Sequence, residues 1–136
     1  MKSGITTFLM FVGDQYGKAE EAINFYISVF PHSGIDQIER YGPEDTTTAG
    51  TVKLAYFTIN RQKLMAIDSG APHPFTFTPA VSLFVECETL EEIEAIYQKL
   101  SASGAVLMPL DNYGFSQKFG WVNDRFGVSW QLNLKG

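Results

Sequence analysis

Few side chains in this sequence could do chemistry, and two of them are adjacent. Glu86 and Cys87 end an apolar run and precede a segment with helical spacing. A helix N-terminus can lower the pKa of a thiol and make it nucleophilic, and a desolvated carboxylate can act as a general base. Strand alternation, however, places Cys87 on the apolar side. We therefore predict a buried structural thiol at Cys87, and we favour a solvated charge over a general base at Glu86.

The two histidines do not fall on predicted strands. His32 follows the first predicted helix, and His73 lies in a proline-rich connector. We predict that both are surface residues without a chemical role. His73 would touch a ligand only if its connector folded over the binding surface.

The composition excludes several classes of function. The chain has 136 residues, of which 45% are hydrophobic and 18% charged, as is typical of a globular domain. Its net charge of −5 gives no general attraction to phosphate groups, so we expect neither nucleic acid nor a membrane as a partner. The first apolar run is too short to span a membrane, and no signal-peptide cleavage site follows it. With one cysteine, no intrachain disulfide can form, and we expect a cytoplasmic protein.

Hydrophobic spacing divides the chain into two halves with the same order of elements. A strand at 5–12 and a helix at 18–30 precede strands at about 35–41, 51–59 and 63–69. After the connector, a strand at 81–87 and a helix at 88–104 precede strands at about 105–110, 116–123 and 127–134. Thr89 and Glu92 form a capping box at the start of the second helix, and Gly104 is expected to stop it. The segments 11–26 and 84–97 also align loosely, which supports a repeat.

We therefore predict an α+β fold built from two tandem βαβββ modules. Residues 1–136 would form a single domain. Module one would cover about 1–70, the connector 70–79 and module two about 80–136.

Each predicted module has one helix, which can cover only one face of its sheet. In 81–87, Val81, Leu83, Val85 and Cys87 alternate with Ser82, Phe84 and Glu86. In the last strand, Val128, Trp130 and Leu132 alternate with Ser129, Gln131 and Asn133, after a turn at 124–127. A curved mixed sheet with such a polar and aromatic face would form a ligand cup. Alternatively, these faces pack on each other or on a partner subunit. A predicted rim loop at 110–117 carries Tyr113 and Phe115, which would either stack on a ligand or pack on a partner subunit.

Two stretches carry a resemblance to a known family: "ITTFLMFVGDQYGKAEEAINFYISVFPHSGI" (5–35) and "YGFSQKFGWVNDRFGVSWQL" (113–132). Together with the paired modules, they resemble the vicinal oxygen chelate superfamily, which includes glyoxalase I, extradiol dioxygenases, and the bleomycin and fosfomycin resistance proteins. Within it, the chain resembles the PhnB-like branch.

The resemblance implies positions for a divalent metal, held by His and Glu on the first and last strands of each module. These positions fall near Thr7, near Ala66 or Asp68, near Ser82 and on Gln131. Only Asp68 is a good ligand among them. Because one carboxylate with neutral oxygens does not make a tight transition-metal site, we predict no metal and no other cofactor.

The paired modules, the mixed cup faces and the missing ligands together predict a metal-free, homodimeric protein that binds a small molecule. The predicted ligand-binding residues are Thr7, Asp68, Ser82, Phe84, Glu86, Tyr113, Trp121 and Gln131. Two alternatives remain: a metal-dependent lyase, isomerase or dioxygenase with the unusual ligands Asp68, Glu86 and Gln131, and a non-catalytic dimer whose sheet faces serve association.

Members of this branch are often labelled demethylubiquinone methyltransferases. The sequence has neither a G-x-G-x-x-G turn for S-adenosylmethionine nor an alternating βαβ pattern, so we expect no methyltransferase activity.

Overall fold

The computed structural model describes residues 4–135, which form two successive βαβββ modules. This is the α+β, glyoxalase-like architecture predicted from the sequence. The chain divides between Thr76 and Phe77 into two compact units, called unit one and unit two. No helix in the described part of the chain is long and apolar enough to cross a membrane.

The elements lie close to their predicted positions. Unit one contains β1 (Thr7–Phe11), α1 (Ala19–Val29), β2 (Gly34–Arg40), β3 (Val52–Ile59) and β4 (Gln62–Asp68), with a short 3-10 turn at Gly13–Gln15. Unit two contains β5 (Ser82–Cys87), α2 (Leu90–Ser101), β6 (Ala105–Asp111), β7 (Lys118–Asn123) and β8 (Ser129–Leu134).

Each unit has one four-stranded mixed sheet. The strand order is β1–β4–β3–β2 in unit one and β5–β8–β7–β6 in unit two. The first and last strands of each unit run parallel, and the other neighbours are antiparallel. Each first strand therefore lies beside the last strand of its own unit, and side chains far apart in sequence become neighbours.

In unit one, α1 covers one face of the sheet. Asp68 identifies that face, because its Oδ1 accepts hydrogen bonds from the backbone N–H groups of Gly17 (2.8 Å) and Ala19 (3.1 Å) at the start of α1. Paired residues on neighbouring strands share a face. The buried apolar side chains on the covered face include Leu9, Phe11, Ala55, Phe57, Leu64 and Ala66.

In unit two, α2 covers the corresponding face. Gly120 of β7 lies against the ring of Tyr97 from α2, which identifies the covered side. Trp130 and Leu132 belong to this side and are buried, as the alternation in β8 predicts. The alternation in 81–87 predicted that Val81 also lies on the covered face, and this is wrong. Val81 precedes the first residue of β5 and is 75% exposed.

The start of α2 confirms the predicted capping pair. Thr89 Oγ1 accepts a hydrogen bond from the Glu92 N–H (3.1 Å), and Glu92 Oε1 accepts one from the Glu88 N–H (2.8 Å). The end of α2 differs from the prediction. Ser103, with φ of 59°, adopts the left-handed conformation expected of a helix stop, and Gly104 does not.

The predicted turn at 124–127 is present and is held by one carboxylate. Asp124 Oδ1 accepts hydrogen bonds from the Phe126 N–H (2.8 Å) and the Val128 N–H (3.1 Å), while Oδ2 accepts one from Trp130 Nε1 (2.9 Å). Gly127 has φ of +92°, a conformation that glycine adopts without steric cost.

Candidate functional site

The face of the unit-two sheet opposite α2, here called the distal face, carries a row of polar side chains. Trp121 and Phe84 are both paired with Gln131, so the three side chains point away from α2. The structure thus brings the predicted residues of β5, β7 and β8 together on one face. The polar row consists of Ser82, Glu86, Trp121, Ser129, Gln131 and Asn133.

Hydrogen bonds join four members of the polar row at one end. The Oγ atoms of Ser82 and Ser129 are 2.7 Å apart. Trp121 Nε1 donates to Ser129 Oγ (2.8 Å), and Gln131 Nε2 donates to Ser82 Oγ (3.3 Å). Each serine oxygen therefore accepts one N–H, and one hydroxyl donates to the other. The remaining hydroxyl hydrogen and Gln131 Oε1 have no partner among the described residues and are available to a ligand.

The other end of the polar row carries its one formal charge. Asn133 Nδ2 donates to Glu86 Oε1 at 2.9 Å. Asn133 is buried, whereas Glu86 is exposed. The amide holds the carboxylate in place, and the second carboxylate oxygen has no protein partner in residues 4–135. This end of the row thus offers a fixed anionic acceptor.

Four rings flank the polar row and form what we call the aromatic cluster: Phe84, Tyr113, Phe115 and Phe119. Phe119 is its buried centre, with ring-centroid distances of 5.1 Å to Phe115, 6.3 Å to Tyr113 and 6.5 Å to Phe84. Phe84 and Phe115 are 57% and 64% exposed. Exposed rings on a packed support provide a surface on which a planar ligand can stack.

The loop between β6 and β7 adds a depression beside the aromatic cluster. The depression has a volume of about 450 Å³ and is lined by Asn112, Gly114, Phe115, Ser116 and Gln117. Asn112 Oδ1 accepts a hydrogen bond from the Gly114 N–H (2.8 Å), and the Tyr113 hydroxyl donates to the Pro109 carbonyl (2.5 Å). These bonds order the loop that lines the open depression.

In unit one, the structure contradicts the predicted orientation of two site residues. Thr7 pairs with Leu64, and Asp68 pairs with Phe11, so both belong to the face covered by α1. Asp68 is 4% exposed, and its Oδ2 accepts a third backbone hydrogen bond from Val52 (2.9 Å). The Asp68 carboxylate bonds to backbone N–H groups because the start of α1 lies directly over the end of β4.

The distal face of unit one is mostly apolar along its first and last strands. Its members there are Phe8, Met10, Met65 and Ile67. Further along lies an open depression of about 470 Å³, lined by Asp36, Gln37, Leu54, Tyr56 and Lys63. Lys63 Nζ lies 3.2 Å from Asp36 Oδ2, and the hydrogen bond from Thr58 and the charge of Lys63 lower the pKa of Asp36. The two charges of this depression therefore compensate each other.

The residues present do not fit a divalent metal held by His and Glu. Within residues 4–135, no three His, Cys, Asp or Glu side chains lie close enough to hold a metal ion. Glu86 is the one carboxylate of the polar row and is bonded there by an amide nitrogen, and Asp68 is turned toward the backbone. The apolar side chains on the distal face of unit one supply neither a hard oxygen nor an imidazole nitrogen.

Cys87 is buried at the end of β5. Burial, with the added negative charge of Glu92 and Glu86, raises the pKa of the Cys87 thiol to about 12. The thiolate is therefore scarce near neutral pH, so the thiol is suited to packing and not to nucleophilic attack.

This predicts slow labelling of Cys87 by iodoacetamide. At pH 8, we expect the native protein to react about two to three orders of magnitude more slowly than the same chain in 6 M guanidinium, because only the thiolate reacts. Mass spectrometry of timed samples measures both rates. Native labelling as fast as that of the unfolded chain would contradict the assignment.

Both histidines make local contacts in unit one. His73 Nε2 lies 2.8 Å from Ser69 Oγ, and its ring centroid is 4.8 Å from that of Phe75. His32 is exposed, and its carbonyl accepts the Arg61 N–H at 3.0 Å. These contacts lie within unit one, and the absence of a chemical role for either histidine stays a prediction.

The predicted site omitted three residues that complete this face. Ser129 and Asn133 hold the side chains of Ser82 and Glu86, and Phe119 is the centre of the aromatic cluster. Alternation within β8 signals the first two, because they share the phase of Gln131. Phe119 shares the phase of Trp121 in β7 and is found by the same rule.

Comparisons with known proteins agree with this architecture. The sequence model of the family described as 3-demethylubiquinone-9 3-methyltransferase matches residues 3–133. A putative 3-demethylubiquinone-9 3-methyltransferase, PhnB protein, from Bacillus cereus is 57% identical, with a TM-score of 0.91 over 97% of this chain and 99% of that one. Comparison with curated proteins gives no match.

Two more distant structures share the fold. Protein PA1353 from Pseudomonas aeruginosa is 24% identical, with a TM-score of 0.77 over 98% of each chain. A mutant of the fosfomycin resistance protein FosX from Listeria monocytogenes, in complex with Mn(II) and 1S,2S-dihydroxypropylphosphonic acid, is 11% identical, with a TM-score of 0.63 over 98% of this chain and 93% of that one. The chain therefore belongs to the PhnB-like family described as 3-demethylubiquinone-9 3-methyltransferase, within the vicinal oxygen chelate fold.

Proposed function

We propose that this protein binds a small molecule on the distal face of unit two, without a metal ion. One observation carries the proposal: exposed aromatic rings lie beside a hydrogen-bonded polar row in which Gln131 Oε1 and the second oxygen of Glu86 have no partner among the described residues. Rings supply contact area, and a few fixed polar atoms supply orientation, as in small-molecule sites generally. The ligand-binding residues that we retain are Ser82, Phe84, Glu86, Tyr113, Trp121 and Gln131.

The proposed function is that of a glyoxalase- or bleomycin-resistance-type binding protein, and not the methyl transfer that the family description names. Tandem βαβββ modules lack the alternating βαβ arrangement of a Rossmann-type methyltransferase. At the start of α1, where an open helix N-terminus could bind a phosphate or carboxylate, Asp68 already accepts the N–H of Ala19 and that of Gly17 just before the helix.

The proposal extends to assembly and location. Phe8 and Val81 are 50% and 75% exposed, and burial of such side chains favours association into a homodimer. A buried, unpaired Cys87 fits a reducing compartment such as the cytoplasm. Analytical ultracentrifugation at micromolar concentration tests the dimer, and a single monomeric species would reject it.

A ligand screen with and without metals tests the main proposal. We expect compounds from a metabolite library to raise the melting temperature in the presence of EDTA as much as in its absence. Calorimetric titrations with Mn²⁺, Ni²⁺, Zn²⁺ and Fe²⁺ should show no binding tighter than about millimolar, because the donor set lacks charge. No methyl transfer from S-adenosylmethionine should be detected.

Two matched variants locate the ligand. Gln131→Leu removes the amide from the polar row and should weaken the best compound about tenfold or more, since it also leaves Ser82 without its donor. Gln98→Leu makes the same change on the exposed side of α2 and should leave affinity unchanged. Stoichiometric, tightly held metal, or equal effects of the two variants, would reject the proposal.

A further inference from the structure

We propose that the site in unit two selects planar aromatic ligands bearing a cationic or N–H-donating nitrogen group, and that it rejects anions. The inference rests on the proposed function and names the ligand class of the same site. Three features of the distal face carry it: its free hydrogen-bonding atoms, its charge and its rings.

The free atoms of the polar row include one charged acceptor among neutral groups. Trp121 donates its indole N–H to Ser129, and Asn133 donates one amide N–H to Glu86. Left for a ligand are Gln131 Oε1, the second oxygen of Glu86, one serine hydroxyl hydrogen and the second amide N–H of Gln131. Because the carboxylate is the one charged group among them, the strongest hydrogen bond that the row offers is to a ligand group that donates.

The charge of the site is negative. Glu86 is the one formally charged member of the polar row, and no Lys or Arg belongs to the row or to the aromatic cluster. The chain itself has a net charge of −5. An anionic group next to Glu86 would face repulsion without a compensating cation, whereas a cation would form a charge-assisted hydrogen bond.

The rings favour the same ligand class. Phe84 and Glu86 are two residues apart on β5 and therefore share the distal face, about 7 Å from each other along the strand. A planar ligand stacked on the exposed rings of Phe84 and Phe115 can place a nitrogen substituent next to Glu86 when the substituent spans this distance. Ring faces carry partial negative charge, which also attracts a nearby cation.

Three isosteric probes test the charge preference: 2-naphthamidine (cation), 2-naphthamide (neutral) and 2-naphthoate (anion). Quenching of tryptophan fluorescence and calorimetry at low salt measure their dissociation constants. We expect the amidine to bind about fivefold more tightly than the amide, as for a charge-assisted hydrogen bond at an exposed site, and the naphthoate not to bind. Equal or tighter binding of the naphthoate would overturn the inference.

Paired substitutions assign the preference to Glu86. Glu86→Gln should reduce amidine affinity about fivefold and leave amide affinity unchanged. Glu94→Gln makes the same change in net charge on the exposed side of α2 and should leave both unchanged. Phe115→Leu should weaken the amidine and the amide by the same factor, because it removes stacking area only. If Glu86→Gln has no more effect than Glu94→Gln, the inference is wrong.

The outcomes separate this inference from the proposed function. If none of the three probes binds but a library compound stabilises the protein through Gln131, the ligand class is wrong and the binding function stands. If no compound of any class binds, the proposed function itself fails.

Discussion

Replacement of Asp68 by alanine is expected to lower the free energy of unfolding by about 4 kcal/mol. The side chain is buried and accepts backbone hydrogen bonds from Gly17, Ala19 and Val52 at 2.8, 3.1 and 2.9 Å. The variant leaves these three buried or partly buried N–H groups without their acceptor, and each unsatisfied donor costs about 1–3 kcal/mol. Urea denaturation followed by circular dichroism measures the change.

Asp14→Ala is the matched control for this prediction. Asp14 is an exposed aspartate of the same unit, in the 3-10 turn before α1. Its replacement should change the free energy of unfolding by less than about 0.5 kcal/mol. If Asp68→Ala were as stable as the control and instead altered ligand or metal binding, Asp68 would be a site residue and not a structural one.

Replacement of Gly104 by alanine is expected to cost about 3 kcal/mol or to prevent folding. A Cβ at this position would overlap the backbone carbonyl oxygen of Asn123 and would lie 3.1 Å from the Cα of Asp124. Backbone atoms of β7 and its following turn cannot move aside as a flexible side chain can. The glycine is required by this close approach, and not by the end of the helix.

The neighbouring residue supplies the contrast. Ser103 is the residue with the left-handed φ of 59°, so Ser103→Gly relieves strain and should be neutral or stabilising by up to about 1 kcal/mol. Urea denaturation compares the two variants with the unmodified chain, and soluble yield reports on a Gly104→Ala chain that does not fold. Equal effects of the two substitutions would contradict the assigned roles.

The order of elements and the faces of unit two could be predicted from the sequence because they depend on near neighbours. Helical spacing, the Thr89–Glu92 pair and the turn after Asn123 act over a few residues. In β8, apolar and polar side chains alternate without ambiguity, so the phase of Gln131 follows from its neighbours. This is why the polar row is largely present among the predicted residues.

The faces of unit one could not be assigned in the same way. In β1, both phases are apolar, with Phe8 and Met10 on one side and Leu9 and Phe11 on the other. Loose alignment of the two halves sets Phe11 on Phe84, yet Phe11 is on the covered face of its sheet and Phe84 on the distal face of its own. A shift by an odd number of residues exchanges the two faces, which explains the wrong orientation of Thr7 and Asp68.

The sequence by itself therefore determined the two βαβββ modules and the alternation of β8. Only the tertiary structure decided what Asp68 and Gly104 do. Asp68 bonds to N–H groups up to 51 residues away, and Gly104 meets the backbone at the end of β7. Such contacts arise from the packing of a helix on its sheet. The spacing of residues along the chain does not indicate which distant backbone atoms will lie next to Asp68 or Gly104.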